Sequence, residues 1–193
     1  MEKREAEEIR KTKETEIRVR INLDGEGKSS LNTSFPFWNH MLTQFALHGL
    51  FDLEIEGRGD VEVDFHHLVE DLGICMGKAV KKALGERRGI SRYGFSLVPM
   101  DEALVQVVVD ISGRPYLSFT PPWREKEFEL AEGFFRAFST HAGITLHIHV
   151  LSGESVHHIL EALFKAFGLS LSRAVQEEPR RKKKIPSSKG GLE

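Results

Sequence analysis

Residues 66–84 read HHLVEDLGICMGKAVKKAL, and residues 157–175 read HHILEALFKAFGLSLSRAV. Each stretch opens on two adjacent histidines with a glutamate three residues after the second: His66-His67-Leu68-Val69-Glu70 and His157-His158-Ile159-Leu160-Glu161. The two stretches are offset by 91 residues (66 to 157). Upstream of them, residues 40–56 (HMLTQFALHGLFDLEIE) match residues 133–149 (GFFRAFSTHAGITLHIH) at an offset of 93 (40 to 133). In both upstream segments apolar residues recur at helical spacing, break at a glycine, and then alternate as in a strand. Further strands are predicted over residues 15–23, with Ile17, Val19, Ile21 and Leu23 on one face, and over residues 103–111. Glycine-bearing turns follow at Asp24-Gly25-Glu26-Gly27 and Ser112-Gly113-Arg114-Pro115. The pattern predicts an α+β fold of tandem-duplicated βα half-repeats, about 13–98 and 99–176, with two small mixed β-sheets and helices packed between them. One half alone would bury too little core, so residues 1–193 read as one fused domain.

The chain is 40% hydrophobic and 29% charged, with a net charge of −2. This balance argues against global attraction to nucleic acid or to a membrane. Cys75 has no partner in the chain, so no internal disulfide forms, and it reads as a small buried hydrophobe. Residues 1–20 are charged throughout and offer no apolar core for a secretory leader; a cytoplasmic location is expected. From residue 177 onward the chain carries Pro179, a basic run over 180–184, and Pro186-Ser187-Ser188-Lys189-Gly190-Gly191, which reads as a flexible tail.

On a helix, adjacent residues diverge by about 100°, whereas residues three and four apart share a face. One imidazole of each pair can therefore join the glutamate on one metal ion while its neighbour faces a second. Together the motifs offer four imidazoles and two carboxylates, a donor set suited to borderline divalent metals. A single copy would read equally well as surface histidines; two copies at equivalent places in a duplication point to metal. The spacing permits His67 with Glu70 at one ion and His158 with Glu161 at the other, with His66 and His157 each crossing to the opposite ion. His40, taken alone, reads as a structural or capping histidine. Arg92, Arg114, Lys165 and Lys189 read as solvated charges unless a phosphate is present to engage them.

The chain resembles the imidazoleglycerol-phosphate dehydratases of histidine biosynthesis. The resemblance runs from about Arg10 to the C-terminus. It is carried by Asn22-Leu23-Asp24-Gly25, His40-Met41-Leu42, residues 64–71 (DFHHLVED), Pro99-Met100-Asp101-Glu102, Ser112-Gly113-Arg114-Pro115, residues 161–165 (EALFK) and Ser187-Ser188-Lys189. It implies a hydro-lyase that dehydrates imidazole glycerol phosphate, a small-molecule phosphate substrate, to imidazole acetol phosphate. It further implies two Mn2+ ions per active site and a homo-oligomer of twenty-four subunits built from trimers, with no nucleic-acid or membrane partner.

Carried over by residue, the resemblance implies one ion held by His40, His67, Glu70 and His157. The other would be held by His66, His158, Glu161 and a histidine where this chain has Gly133, the repeat partner of His40. One complete and one weakened metal site are therefore expected. Glu14 is implied as the general acid/base, with His66, Glu70 and Glu161 in the catalytic set. Gln44 and His48 are implied to line the substrate, while Arg92, Arg114, Lys165, Ser187, Ser188 and Lys189 gather its phosphate and hydroxyls. Asn39 and Ser155 depart from the Asp and Asn usual in the family, and Asn39 is expected to weaken support for His40. Two rivals stand beside this reading: a metal-binding homologue without dehydratase activity, favoured by Gly133, and a nucleic-acid-binding tail over 180–184.

Overall fold

The computed structural model describes residues 3–182 and 184–192. The chain order is β1 (Glu5–Lys11), β2 (Thr15–Asn22), β3 (Ser29–Thr33), α1 (Pro36–Gly49), β4 (Asp52–Gly59) and α2 (His66–Leu84). The series then repeats as β5 (Tyr93–Met100), β6 (Ala103–Asp110), β7 (Tyr116–Phe119), α3 (Lys126–Ala142), β8 (Thr145–Ser152) and α4 (Val156–Val175). The sheets have equivalent orders, β1-β2-β4-β3 and β5-β6-β8-β7. In each, one parallel edge strand joins an otherwise antiparallel sheet.

Alternation builds the sheets. In β2, Thr15, Ile17, Val19 and Ile21 point inward and are buried, while Glu16, Arg18 and Arg20 face solvent. The four helices fill the space between the sheets: α2 lies on β1 and β2, α4 lies on β5 and β6, and the helices pack as α1 with α4 and α2 with α3. Trp38, Phe45, Phe134, Phe135, Phe138, Phe164 and Phe167 interlock at the centre with no exposed surface. The duplication and the helical filling thus match the expected α+β architecture.

The division between halves differs from the expected one. β5 pairs with β6 along its whole length, so the second unit begins at Tyr93, earlier than residue 99. β1 also belongs to the first unit, although its sequence, EAEEIRK, carries no apolar stripe. Its inward face is charged: Arg10 Nε donates to Asp71 Oδ1 at 2.8 Å, and Glu8 pairs with Lys78 and Lys82 of α2. Charge complementarity there replaces the hydrophobic alternation that reveals the other strands.

The tail is laid against the body. Gly89 N donates to Lys184 O at 2.9 Å, Glu178 N donates to Gly89 O at 2.8 Å, and Arg92 Nη1 donates to Pro186 O at 2.8 Å. Pro186 is buried, and residues 179–181 form a 3-10 turn. The expected free tail is therefore a strap with its own hydrogen bonds. Lys183, within the basic run, lies outside the described residues, as do Met1 and Glu2 of the charged N-terminal stretch and Glu193.

Candidate metal and substrate site

Helix α1 begins at Pro36, whose missing N–H suits a first helical position, and this places His40 early in the helix. Helix α4 begins behind Ser155, whose Oγ accepts from His158 N at 3.4 Å. Because α1 packs against α4, three side chains meet where the helices start: His40, His157 and Glu161. His40 Nε2 lies 3.0 Å and His157 Nε2 lies 3.1 Å from Glu161 Oε2. Ligand atoms of the three lie within 4.8 Å of one another. Two imidazoles and a carboxylate converging at this range fit a borderline divalent cation.

Glu161 is buried, which pushes its carboxyl up, but Lys165, His40 and His157 outweigh this and hold it down at about 2. The first of these partners, Lys165 Nζ, lies 2.7 Å from Glu161 Oε1. The trio continues as two parallel stripes at four-residue spacing, His40, Gln44 and His48 on α1 and His157, Glu161 and Lys165 on α4. Burial, with Lys165 nearby, lowers the pKa of His48. Gln44, His48 and Lys165 thus occupy one seam with three of the expected ligands.

The second motif is arranged differently. His66 Nε2 lies 3.6 Å from Glu70 Oε2, and both residues are exposed. Among the described residues, no third ligand joins them. His67 instead turns its Nδ1 to Asp60 Oδ2 at 3.0 Å, with Glu14 Oε2 at 3.8 Å. His158 likewise turns its Nδ1 to Glu102 Oε2 at 2.7 Å. These carboxylates raise the pKa of both rings, and His158 with backbone donors holds Glu102 down at about 2. A histidine whose Nδ1 is oriented by a carboxylate has its Nε2 available as a ligand.

The expected partition is therefore revised within one chain. His157 stays with the glutamate of its own motif, as His66 does, because i and i+4 share a face. The second histidine of each pair is the one that departs. Sequence reasoning gave no role to Asp60, seven residues before His67, or to Glu102, which lies 56 residues before His158. Among the described residues the Asn39 side chain makes no hydrogen bond to His40, whose Nε2 faces Glu161. Asn39 bonds Thr33, whose Oγ1 donates to Asn39 Oδ1 at 2.6 Å.

Of the remaining residues, Arg92, Ser187 and Ser188 lie together in a basic region. Arg92 is engaged by Asp110 through Nε at 2.7 Å and Nη2 at 3.1 Å, and its third bond reaches the strap at Pro186. Arg92, Arg181, Lys184, Ser187 and Ser188 line an open groove of about 500 Å³. Arg114 is exposed, and Lys189 lies in the turn that follows Ser187. The lining of this groove includes none of His40, His157 and Glu161.

The comparisons with known proteins place this geometry in a family. The model of the family described as imidazoleglycerol-phosphate dehydratase matches residues 33–171. An imidazoleglycerol-phosphate dehydratase of Paraburkholderia phytofirmans is 54% identical over 192 residues, covering 97% of this chain and 98% of that protein. One from Burkholderia lata is 53% identical over 194 residues, covering 98% and 100%. Among solved structures, the Staphylococcus aureus imidazoleglycerol-phosphate dehydratase superimposes with a TM-score of 0.80 at 38% identity, covering 90% of this chain and 99% of that one. The Pyrococcus furiosus structure, a complex with (S)-C348, gives 0.82 at 38% identity, covering 96% and 100%. With near-complete coverage and these motifs in place, the chain belongs to the imidazoleglycerol-phosphate dehydratase family.

Proposed function

We propose that this chain is a manganese-dependent hydro-lyase that dehydrates imidazole glycerol phosphate to imidazole acetol phosphate in histidine biosynthesis. The convergence of His40, His157 and Glu161, in a chain of this family, carries the reading. His40, His157 and Glu161 would hold one Mn2+, and His66 with Glu70 would hold the other. When bound, the ions supply positive charge to stabilise the negative charge that develops on the substrate's imidazole ring.

The chain's own groups do the rest. Glu161 stays ionised beside Lys165, so it is ready to bind a cation without first losing a proton. Gln44 and His48 line the seam below the trio, where they orient the substrate. Glu14, exposed beside His67, takes the carbon-bound proton, and that hydrogen and the hydroxyl together leave as water. Arg92, Arg114, Lys165, Ser187, Ser188 and Lys189 receive the phosphate and hydroxyl groups, with guanidinium forks matching phosphate oxygens.

The separation of these groups supports a homo-oligomer, of twenty-four subunits built from trimers as the resemblance implies. Among the described residues of one chain the trio has no fourth ligand, while His67 and His158 present imidazoles pre-oriented by Asp60 and Glu102. A neighbouring copy bringing His67 and Glu14 to the trio would complete it.

The test is turnover of imidazole glycerol phosphate by chelator-stripped protein given graded manganese. Turnover should rise with the metal and fall at least about a thousandfold in Glu14→Gln and His40→Ala; no turnover at saturating manganese defeats the reading. That last result would favour a metal-binding homologue without dehydratase activity, for which Gly133 is the supporting observation.

A further inference from the structure

The two helix crossings are superimposable in register, and this locates a missing ligand. In α4, a Cβ on Gly168 would lie 2.4 Å from Phe45 O of α1; in α2, a Cβ on Gly77 would lie 2.7 Å from Phe138 O of α3. These pairs correspond residue for residue under the offsets of the duplication, 91 (77 to 168) and 93 (45 to 138). The same offset of 93 relates the left-handed caps, Leu50 after α1 and Gly143 after α3, and the strands β4 and β8. Counting five residues back from each carbonyl reaches His40 in one seam and Gly133 in the other. Counting eleven back from each glycine reaches His157 and His66. Gly133 therefore occupies, beside His66 and Glu70, the place that His40 occupies beside His157 and Glu161.

A Cβ at Gly133 would meet nothing within 4 Å, so the position is open. His141 of α3 lies eight residues further on, about 12 Å along the helix axis, and so does not take the place of a ligand at residue 133. Resting on the manganese reading above, we infer that the two metal sites of this chain are unequal. The α1/α4 seam binds its ion with three side chains of one chain; the α2/α3 seam binds with two and leaves a coordination position open to a diffusible donor, water or a free imidazole. Loss of a group that merely orients a ligand weakens metal binding about 10–100-fold, so loss of the ligand itself separates the two affinities by at least about tenfold.

The experiment titrates Mn2+ into the stripped, assembled protein and follows free Mn2+ by electron paramagnetic resonance. One tight ion per chain and a second at least about tenfold weaker are expected. Free imidazole, used as the probe, should tighten the second ion in the native chain and leave the first unchanged. Gly133→His should bring the second affinity to within about threefold of the first and abolish the imidazole effect; His40→Ala should weaken the tight ion alone. Two equally tight ions would overturn the inference while leaving manganese dependence intact, whereas no bound ion would defeat both. The inference also falls if imidazole changes neither affinity in the native chain, a measurement that requires no variant to fold. An assembled Gly133→His protein with unchanged affinities would overturn it as well.

Discussion

The α1/α4 and α2/α3 seams share one packing geometry, but three of the six polar positions of the first have lost their polar group in the second. Along α1/α4 run His40, Gln44 and His48 opposite His157, Glu161 and Lys165. The equivalent positions along α3 and α2 are Gly133, Ala137 and His141 opposite His66, Glu70 and Ile74. The glutamates show the contrast in one pair: Glu161 is 9% exposed at its side chain and Glu70 is 50% exposed. A duplicated scaffold has kept the contacts that hold helices together and concentrated its polar chemistry in one seam. The helix crossings need the same small residues in both halves, whereas a charged stripe serves only where a ligand binds.

The sharpest way to break this comparison is to remove each glutamate from the metal-free protein. Without Glu161, the Lys165 ammonium, 16% exposed, keeps only the Met100 sulfur, 3.4 Å away, as a described partner. Removing one member of a buried ion pair leaves an uncompensated charge, so Glu161→Ala should destabilise the fold by about 3 kcal/mol. Glu70→Ala removes an exposed carboxylate and should change stability by less than about 0.5 kcal/mol. Urea midpoints at one protein concentration check both values. Equal costs would show that the seams are electrostatically alike.

Substituting the crossing glycines should show the opposite, a cost common to both seams. The added methyl would lie 2.4 Å from Phe45 O in Gly168→Ala and 2.7 Å from Phe138 O in Gly77→Ala. Both contacts are to backbone, which cannot rotate away, so the helices must separate. Overpacking of this kind costs about 1–3 kcal/mol, and thermal melts should place the two variants close together. A neutral result at one glycine alone would mean that the packing has diverged along with the chemistry.

Much of this was legible from sequence, and the exceptions have physical causes. The duplication was visible because buried helix faces and inward strand residues leave periodic apolar stripes, and those stripes repeat. β1 was hidden because, of its inward residues, Glu8 and Arg10 pair with charged groups of α2 and only the small Ala6 packs on the core, which leaves no hydrophobic stripe. The boundary between halves was misplaced because β5 exposes Tyr93, Phe95 and Leu97 on its outer face, blurring its alternation. Which histidine stays with each glutamate turned on Asp60 and Glu102: the first reaches His67 across the short turn before α2, and the second is brought to His158 by the fold from 56 residues away. The vacancy at Gly133 was legible because a repeat supplies its own reference.

That vacancy gives the smallest effect and the cleanest separation of ligand from scaffold. Gly133 lies inside α3, where glycine is about 0.5–1 kcal/mol less favourable than alanine because its backbone loses more freedom on folding. A Cβ there meets no neighbour within 4 Å, so no steric term opposes the gain. Gly133→Ala should therefore stabilise the protein by about 0.5–1 kcal/mol while adding no metal ligand, and Mn2+ affinities should stay as they are in the native chain. A melt that moves down would show that glycine is required there for packing. A melt that moves up with unchanged metal binding identifies the position as one that the fold leaves free, so that any tightening in Gly133→His is due to the imidazole alone.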